Sequence, residues 1–121
     1  MRIRSFKVPF SRVLPEDAHE LEFGPDDYMV VRPVFGLSAE ALTELLDRMQ
    51  KAETEEDGDA LYADVVAQTV LEWHLTDETG AAIPVPATRA DAKSLPGALA
   101  GALYDFLTSY RGDGPNPTTR G

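Results

Sequence analysis

The chain has 121 residues, enough for one domain and too short for two ordinary ones. Its 21 acidic and 11 basic residues give a net charge of −10, a field that repels phosphate backbones, and the absence of cysteine excludes disulfides, thiolate nucleophiles and cysteine-held zinc. No apolar run reaches the ~20 residues of a bilayer span, and the N-terminus lacks the apolar core of a secretory signal. The expectation is a cytoplasmic protein with no membrane or nucleic-acid partner.

Residues 2–10 read as a short, weakly alternating strand. Arg2, Arg4, Lys7 and Arg12 are interleaved there with Phe6 and Phe10, which fits a basic-rimmed edge strand better than an RNA contact. After a connector over residues 11–18, "HELEFGPDDYMVVRPV" predicts a β-hairpin. Gly24-Pro25-Asp26-Asp27 supplies the turn chemistry. Phe23 would pair with Tyr28 and Leu21 with Val30, leaving Glu20 and Glu22 on the opposite face.

Ser38 is placed to cap a helix in which Leu42, Leu45, Leu46 and Met49 share one face, ending near Ala52. The acidic run "ETEEDGD" interrupts the helical pattern. Asp59 is then the expected cap of a second helix, whose apolar stripe would be Tyr62, Val65, Val66, Val70 and Trp73, with Trp73 facing the core at its end. Thr76 to Gly80 is a polar turn, and "IPVP" is extended because proline cannot sit inside a helix. Thr88 and Asp91 resemble a capping box. Ser94-Leu95-Pro96 opens a last helix with a Leu99, Ala102, Leu103, Phe106, Tyr110 stripe. Residues 111–121, rich in glycine and proline, are expected to form a disordered tail. The predicted fold is therefore α+β: a small N-terminal antiparallel hairpin or three-stranded sheet on about three helices, in a single domain over residues 1–110.

The acidic run invites a calcium reading. Laid on an EF-hand loop, Glu53, Glu55 and Asp57 take the first ligand positions, Gly58 the sharp turn and Asp64 the last position. The first position wants the shorter Asp, Ala60 stands where a bulky aliphatic belongs, and Asp64 is a methylene short of a bidentate Glu. A solvated acidic linker is the better expectation, with a single EF-hand-like site as the remote alternative. His74 and His19 have no companion at metal spacing, and no GxSxG elbow or paired-glycine phosphate loop occurs. No catalytic residue, metal or cofactor is therefore expected. The Arg111-Gly112-Asp113 triplet is too short to carry meaning.

Trp73, Leu75, Asp77, Gly80, Ile83 and Pro84, followed by Leu95, Pro96 and Leu99, resemble a segment common in the tail assembly chaperones of tailed bacteriophages, W-x-L-x-D-x-x-G-x-x-(I/L)-P ahead of an LP-x-x-L helix start. "YMVVRPVFGLSAEALTELL" is similar to the V-x-V-R-P-L strand and following helix of the same group. The resemblance covers about Tyr28 to Tyr110 and leaves residues 2–20 outside it. It implies a non-enzymatic protein of a bacterial host's cytoplasm that binds the long helical tape-measure protein and recruits tail-tube subunits. It also implies a longer product made by frameshifting near the C-terminus. The alternative, of another class, is a structural tail or head–tail joining component that self-assembles as a homo-oligomer. The partner surface is expected around Leu75, Ile83, Val85 and Leu99, where apolar residues outlast a small core.

Overall fold

A computed structural model describes residues 1–85 and 95–112. Its sheet is built around the β-branched run that the hairpin reading also selected. Strand β2 (Tyr28–Val31) is central, flanked antiparallel by β1 (Phe6–Pro9) and β3 (Val70–His74). Phe6 pairs with Val31 and Pro9 with Tyr28 on one side; Tyr28 pairs with His74 and Met29 with Trp73 on the other. Because side chains alternate along a strand, Phe6, Val8, Met29, Val31, Val70 and Trp73 share the inner face. Lys7, Tyr28, Val30, Glu72 and His74 share the outer one.

The expected hairpin is corrected in one respect. Its turn exists: Asp27 N–H donates to the Gly24 carbonyl (3.1 Å), and Gly24 N–H donates to Asp27 Oδ2 (2.8 Å). The segment before it is not a strand, because β1 and β3 already occupy both edges of β2. Leu21 and Phe23 lean on the core as a loop instead, with the Phe23 ring 5.8 Å from that of Phe10.

Helix α1 (Ala39–Lys51) starts and stops as its sequence predicts. Ser38 Oγ accepts from Ala41 N–H (3.1 Å), and Ala52 closes the last turn. It is peripheral: Leu45 is buried, Leu42 and Met49 are half-buried, and Leu46 turns outward at 44% exposure.

Helix α2 (Glu55–Thr69) overturns two expectations. Its cap is Thr54, whose Oγ1 accepts from Asp57 N–H (3.0 Å), and not Asp59. Glu55, Glu56 and Asp57 therefore lie in the first helical turn, where carboxylates complement the positive end of the helix dipole. The EF-hand overlay fails here, because residues 55–64 are helical and cannot wrap an ion. Asp64, its last ligand position, is in an ion pair with Arg48 that ties α2 to α1. Among the described residues no group of three His, Asp or Glu side chains is placed to hold a metal.

The second correction is at the far end of α2. The helix does not run on to Trp73; it ends at Thr69 and passes directly into β3. Arg32 enforces the switch: its N–H donates to the Thr69 carbonyl (2.9 Å) and its Nε to the Gln68 carbonyl (2.7 Å). Two carbonyls of the last helical turn are thus taken, one by the Arg32 backbone N–H and one by its guanidinium, whose charge suits the negative helix end. Val70 then pairs with Val31 and Glu72 with Val30, so Leu71 is the extra residue of a β-bulge. The bulge leaves Leu71 56% exposed and brings both Val70 and Trp73 to the inner face.

Helix α3 (Gly97–Ser109) begins after Pro96, as expected. It buries Leu99, Leu103 and Leu107, with Tyr110 just beyond its end. Its face differs from prediction by the gain of Leu107 and the half-exposure of Ala102 and Phe106. Helices α2 and α3 pack together, with Tyr62 and Tyr104 stacked 6.0 Å apart, and cover the inner sheet face. The outer face is left to solvent. The fold is α+β, a three-stranded antiparallel sheet with three helices. The predicted Thr88–Asp91 capping box, Val85's neighbour Pro86 and the tail beyond Gly112 lie outside the described residues.

Candidate functional site

The segment that follows β3 folds back on itself. Asp77 Oδ1 accepts from Thr79 Oγ1 (2.6 Å), Thr79 N–H (2.8 Å) and Ala81 N–H (3.1 Å), the self-capping that favours Asp at a turn start. The Thr79 hydroxyl, first among these donors, holds the Asp77 carboxyl below its ordinary pKa. Gly80 sits at φ +85°, a conformation that side chains rarely adopt. The chain returns antiparallel, with a bridge between Thr76 and Ala82 and Ile83 N–H donating to the Leu75 carbonyl (2.8 Å).

Trp73 clamps this hairpin to the sheet. Its Nε1–H donates to the Ile83 carbonyl (3.0 Å), while its ring meets Phe10 edge-on at 4.9 Å. It is half-buried rather than fully enclosed. The spacing Trp73, Leu75, Asp77, Gly80, Ile83 thus has one physical meaning: clamp, core anchor, turn cap, positive-φ hinge and returning strand.

Beside the hairpin lies an open cleft of about 780 Å³, walled by residues 20–24, the 75–79 turn and the start of α3. Its floor is Leu21, Phe23, Leu75, Ile83 and Leu99. Its rim carries Glu20, Glu22, Asp27, Asp77 and Glu78, with no Lys or Arg among the described residues that line it. Asp27 fixes the two walls to each other: it holds Gly24 through Oδ2, and its Oδ1 accepts long bonds from Thr76 N–H (3.3 Å) and Oγ1 (3.4 Å).

Three of the four residues expected at a partner surface meet in this cleft. Leu75 (5% exposed) and Leu99 (1%) are floor, covered by their neighbours, and Ile83 is half-buried. Val85 is exposed and does not line it. Leu21, Phe23, Glu20 and Glu22 were missing from the expected set. Their E-L-E-F alternation is a signal of a two-sided segment, but it reads as a strand until the sheet is seen to be full.

His74 does not line the cleft. His74 is on the outer sheet face, stacked on Tyr28 with ring centres 4.5 Å apart. Glu72 Oε2 lies 3.2 Å from His74 Nε2 and accepts from the Tyr28 hydroxyl at 3.1 Å. Desolvation first, and the Glu72 contact second, raise the Tyr28 hydroxyl pKa. Lys7 Nζ stands 4.2 Å from the Tyr28 ring centre, a cation–π contact that completes the row across the strands. This is cross-strand pairing on a solvated face.

The basic N-terminal cluster is spread over aromatic rings: Arg4 lies 5.1 Å from the centre of Phe6, and Arg12 5.8 Å from Phe106. No helix among the described residues is long and apolar enough to cross a membrane. Comparison of the chain with protein-family models, curated proteins and solved structures finds no match.

Proposed function

We propose that this chain is a non-enzymatic binding protein for an extended helical partner, and within that class a phage or prophage tail assembly chaperone. In this reading it binds the tape-measure protein and promotes assembly of tail-tube subunits around it. The observation that carries the proposal is the cleft: an apolar floor under an acidic rim, formed by the segment that resembles the tail-chaperone motif. An amphipathic helix laid in such a groove buries residues at i, i+3, i+4 and i+7 against the floor. Leu21, Phe23 and Ile83 offer contact area there, while the covered Leu75 and Leu99 shape the groove from below. The rim carboxylates select a partner with lysine or arginine flanking its apolar stripe. The non-enzymatic part rests on the sequence, which contains no nucleophile elbow, histidine pair or phosphate loop.

Co-expression with the tape-measure protein of the same genome, followed by pull-down, tests this. Soluble co-purification is expected, weakened at least about tenfold by Ile83→Asp or Leu21→Asp in variants that keep their thermal melts. Loss of solubility of the client, with no complex formed, would sink the chaperone reading. The second reading, a self-assembling tail or head–tail joining component, is favoured by a separate feature: Ile3 and Phe35 are exposed apolar side chains outside the cleft, with Arg111 stacked on Phe35.

A further inference from the structure

The cleft and the N-terminal segment occupy opposite ends of the fold. The end of the sheet where Tyr28 pairs with Pro9 and His74 leads into Asp27 and the cleft; Phe6, Val31 and Val70 mark the other end. Helix α3 starts in the cleft at Pro96 and Leu99 and finishes beside Phe6, whose ring is 6.0 Å from that of Tyr110. Its 13 residues place the two ends about 20 Å apart.

The Phe6 end is chemically the reverse of the cleft. Met1, Ile3 and Phe35 are three of its exposed apolar side chains, at 124%, 49% and 41%. Ile3 lies over Gly36, where an added Cβ would come within 2.9 Å of it, and Arg111 stacks on Phe35 at 4.0 Å. Gly112, at φ +102°, packs against Phe6 and Pro33, which brings the Arg111 segment onto the same end. Residues 1–6, 33–37 and 110–112, which build it, contain Arg2, Arg4 and Arg111 and no Asp or Glu, while the neighbouring Arg32 is turned to the Gln68 carbonyl.

We propose that copies of this chain associate head to tail, the arginine-rich apolar end of one copy seated in the acid-rimmed cleft of the next. The occupant follows from complementarity within one sequence: exposed apolar groups flanked by arginine on one end, and an apolar floor flanked by carboxylates on the other. A polyanion is the poorer match, since a net charge of −10 opposes it over the rest of the molecule. Because the two patches differ, the contact is heterologous, and it builds a ring if the rotation per copy closes or a filament if it does not. The patches are small, so association is weak, and it is salt-sensitive because its selectivity comes from the rims.

Sedimentation of the full chain over about 10–1,000 µM, at low and high salt, reads the association. Arg2→Glu with Arg4→Glu, and separately Glu20→Lys with Glu22→Lys, are each expected to weaken it at least about tenfold, with far-UV spectra and melts unchanged. Arg2→Glu alone, at a residue with no ring contact among the described residues, is the milder version should the double variant lose stability. Mixing the two reversed proteins, or combining all four changes in one chain, restores complementary ends and is expected to restore association.

A chain that stays monomeric throughout, association indifferent to both reversals, or no rescue in the mixture would overturn the proposal. So would a monomer retained on heparin through Arg2 and Arg4, which would assign that end to a polyanion. The client helix and the next copy would compete for one cleft, so self-association is read on the chain alone, without the client. Self-association without tape-measure binding leaves it standing and removes the chaperone reading; client binding by a strict monomer does the reverse.

Discussion

Trp73 shows how much one residue can organise in a small fold. Its ring fills the corner between Phe10 and the hairpin, and its indole N–H satisfies the Ile83 carbonyl. The two parts separate by mutation. Trp73→Phe keeps most of the ring and loses the hydrogen bond, for about 1 kcal/mol. Trp73→Ala also opens a cavity and is expected to cost about 3 kcal/mol. Urea melts of the two variants check the ratio, and equal losses would mean that the ring contributes little. Asp77 acts through charge-assisted hydrogen bonds instead. Its carboxyl pKa is lowered in the folded chain, so its contribution is fully present above the ordinary carboxylate value and fades as the pH falls through the lowered one. Asp77→Asn should therefore lower the melting temperature at neutral pH, with the gap to wild type closing on the acid side. A gap that stays constant with pH would mean that charge is not what Asp77 supplies.

At the scale of elements, helix α2 is where local and tertiary forces meet. Its first turn holds "EEDG", a composition that reads as a loop, yet Thr54 caps it and the carboxylates suit the helix N-terminus. This has a sharp consequence at Gly58. A Cβ there meets nothing within 4 Å and φ is not positive. Gly58→Ala is therefore expected to stabilise the protein by about 0.5–1 kcal/mol, as for a helical glycine with free space at its Cβ position. In a calcium-type loop the same change would destabilise, so the sign of the melting shift decides between the two conformations. The other end of α2 carries the bulge. A regular strand would put Val70 and Trp73 on opposite faces. The extra residue Leu71 puts them on one face at a spacing of three, which is also the spacing of a helical stripe.

For the whole molecule the governing quantity is charge distribution. Acidic residues crowd the cleft, α1 and the start of α2, while arginines gather at the Phe6 end. Self-repulsion of the acidic part opposes folding at low ionic strength. At micromolar protein, where weak association is negligible, raising salt from about 10 mM to about 300 mM should raise the melting temperature, as the screening length shortens. A fall instead would mean that attractive pairs such as Arg48–Asp64 outweigh the repulsion.

Local chemistry alone determined much of this protein: the α+β class, the start and stop of α1, the Gly24 turn, the Asp77–Gly80 turn and the proline that opens α3. Each is governed by a short-range rule of capping, φ preference or periodicity that neighbouring residues suffice to express. Only the tertiary structure decided which segments flank β2, where α2 gives way to β3, and that Leu21, Phe23 and their glutamates belong to the cleft. A strand edge accepts one partner, and residues 6–9, 20–23 and 70–74 all carry plausible strand patterns. The choice among them is made by packing of Phe10, Trp73 and Arg32 across long stretches of chain, which no local window contains.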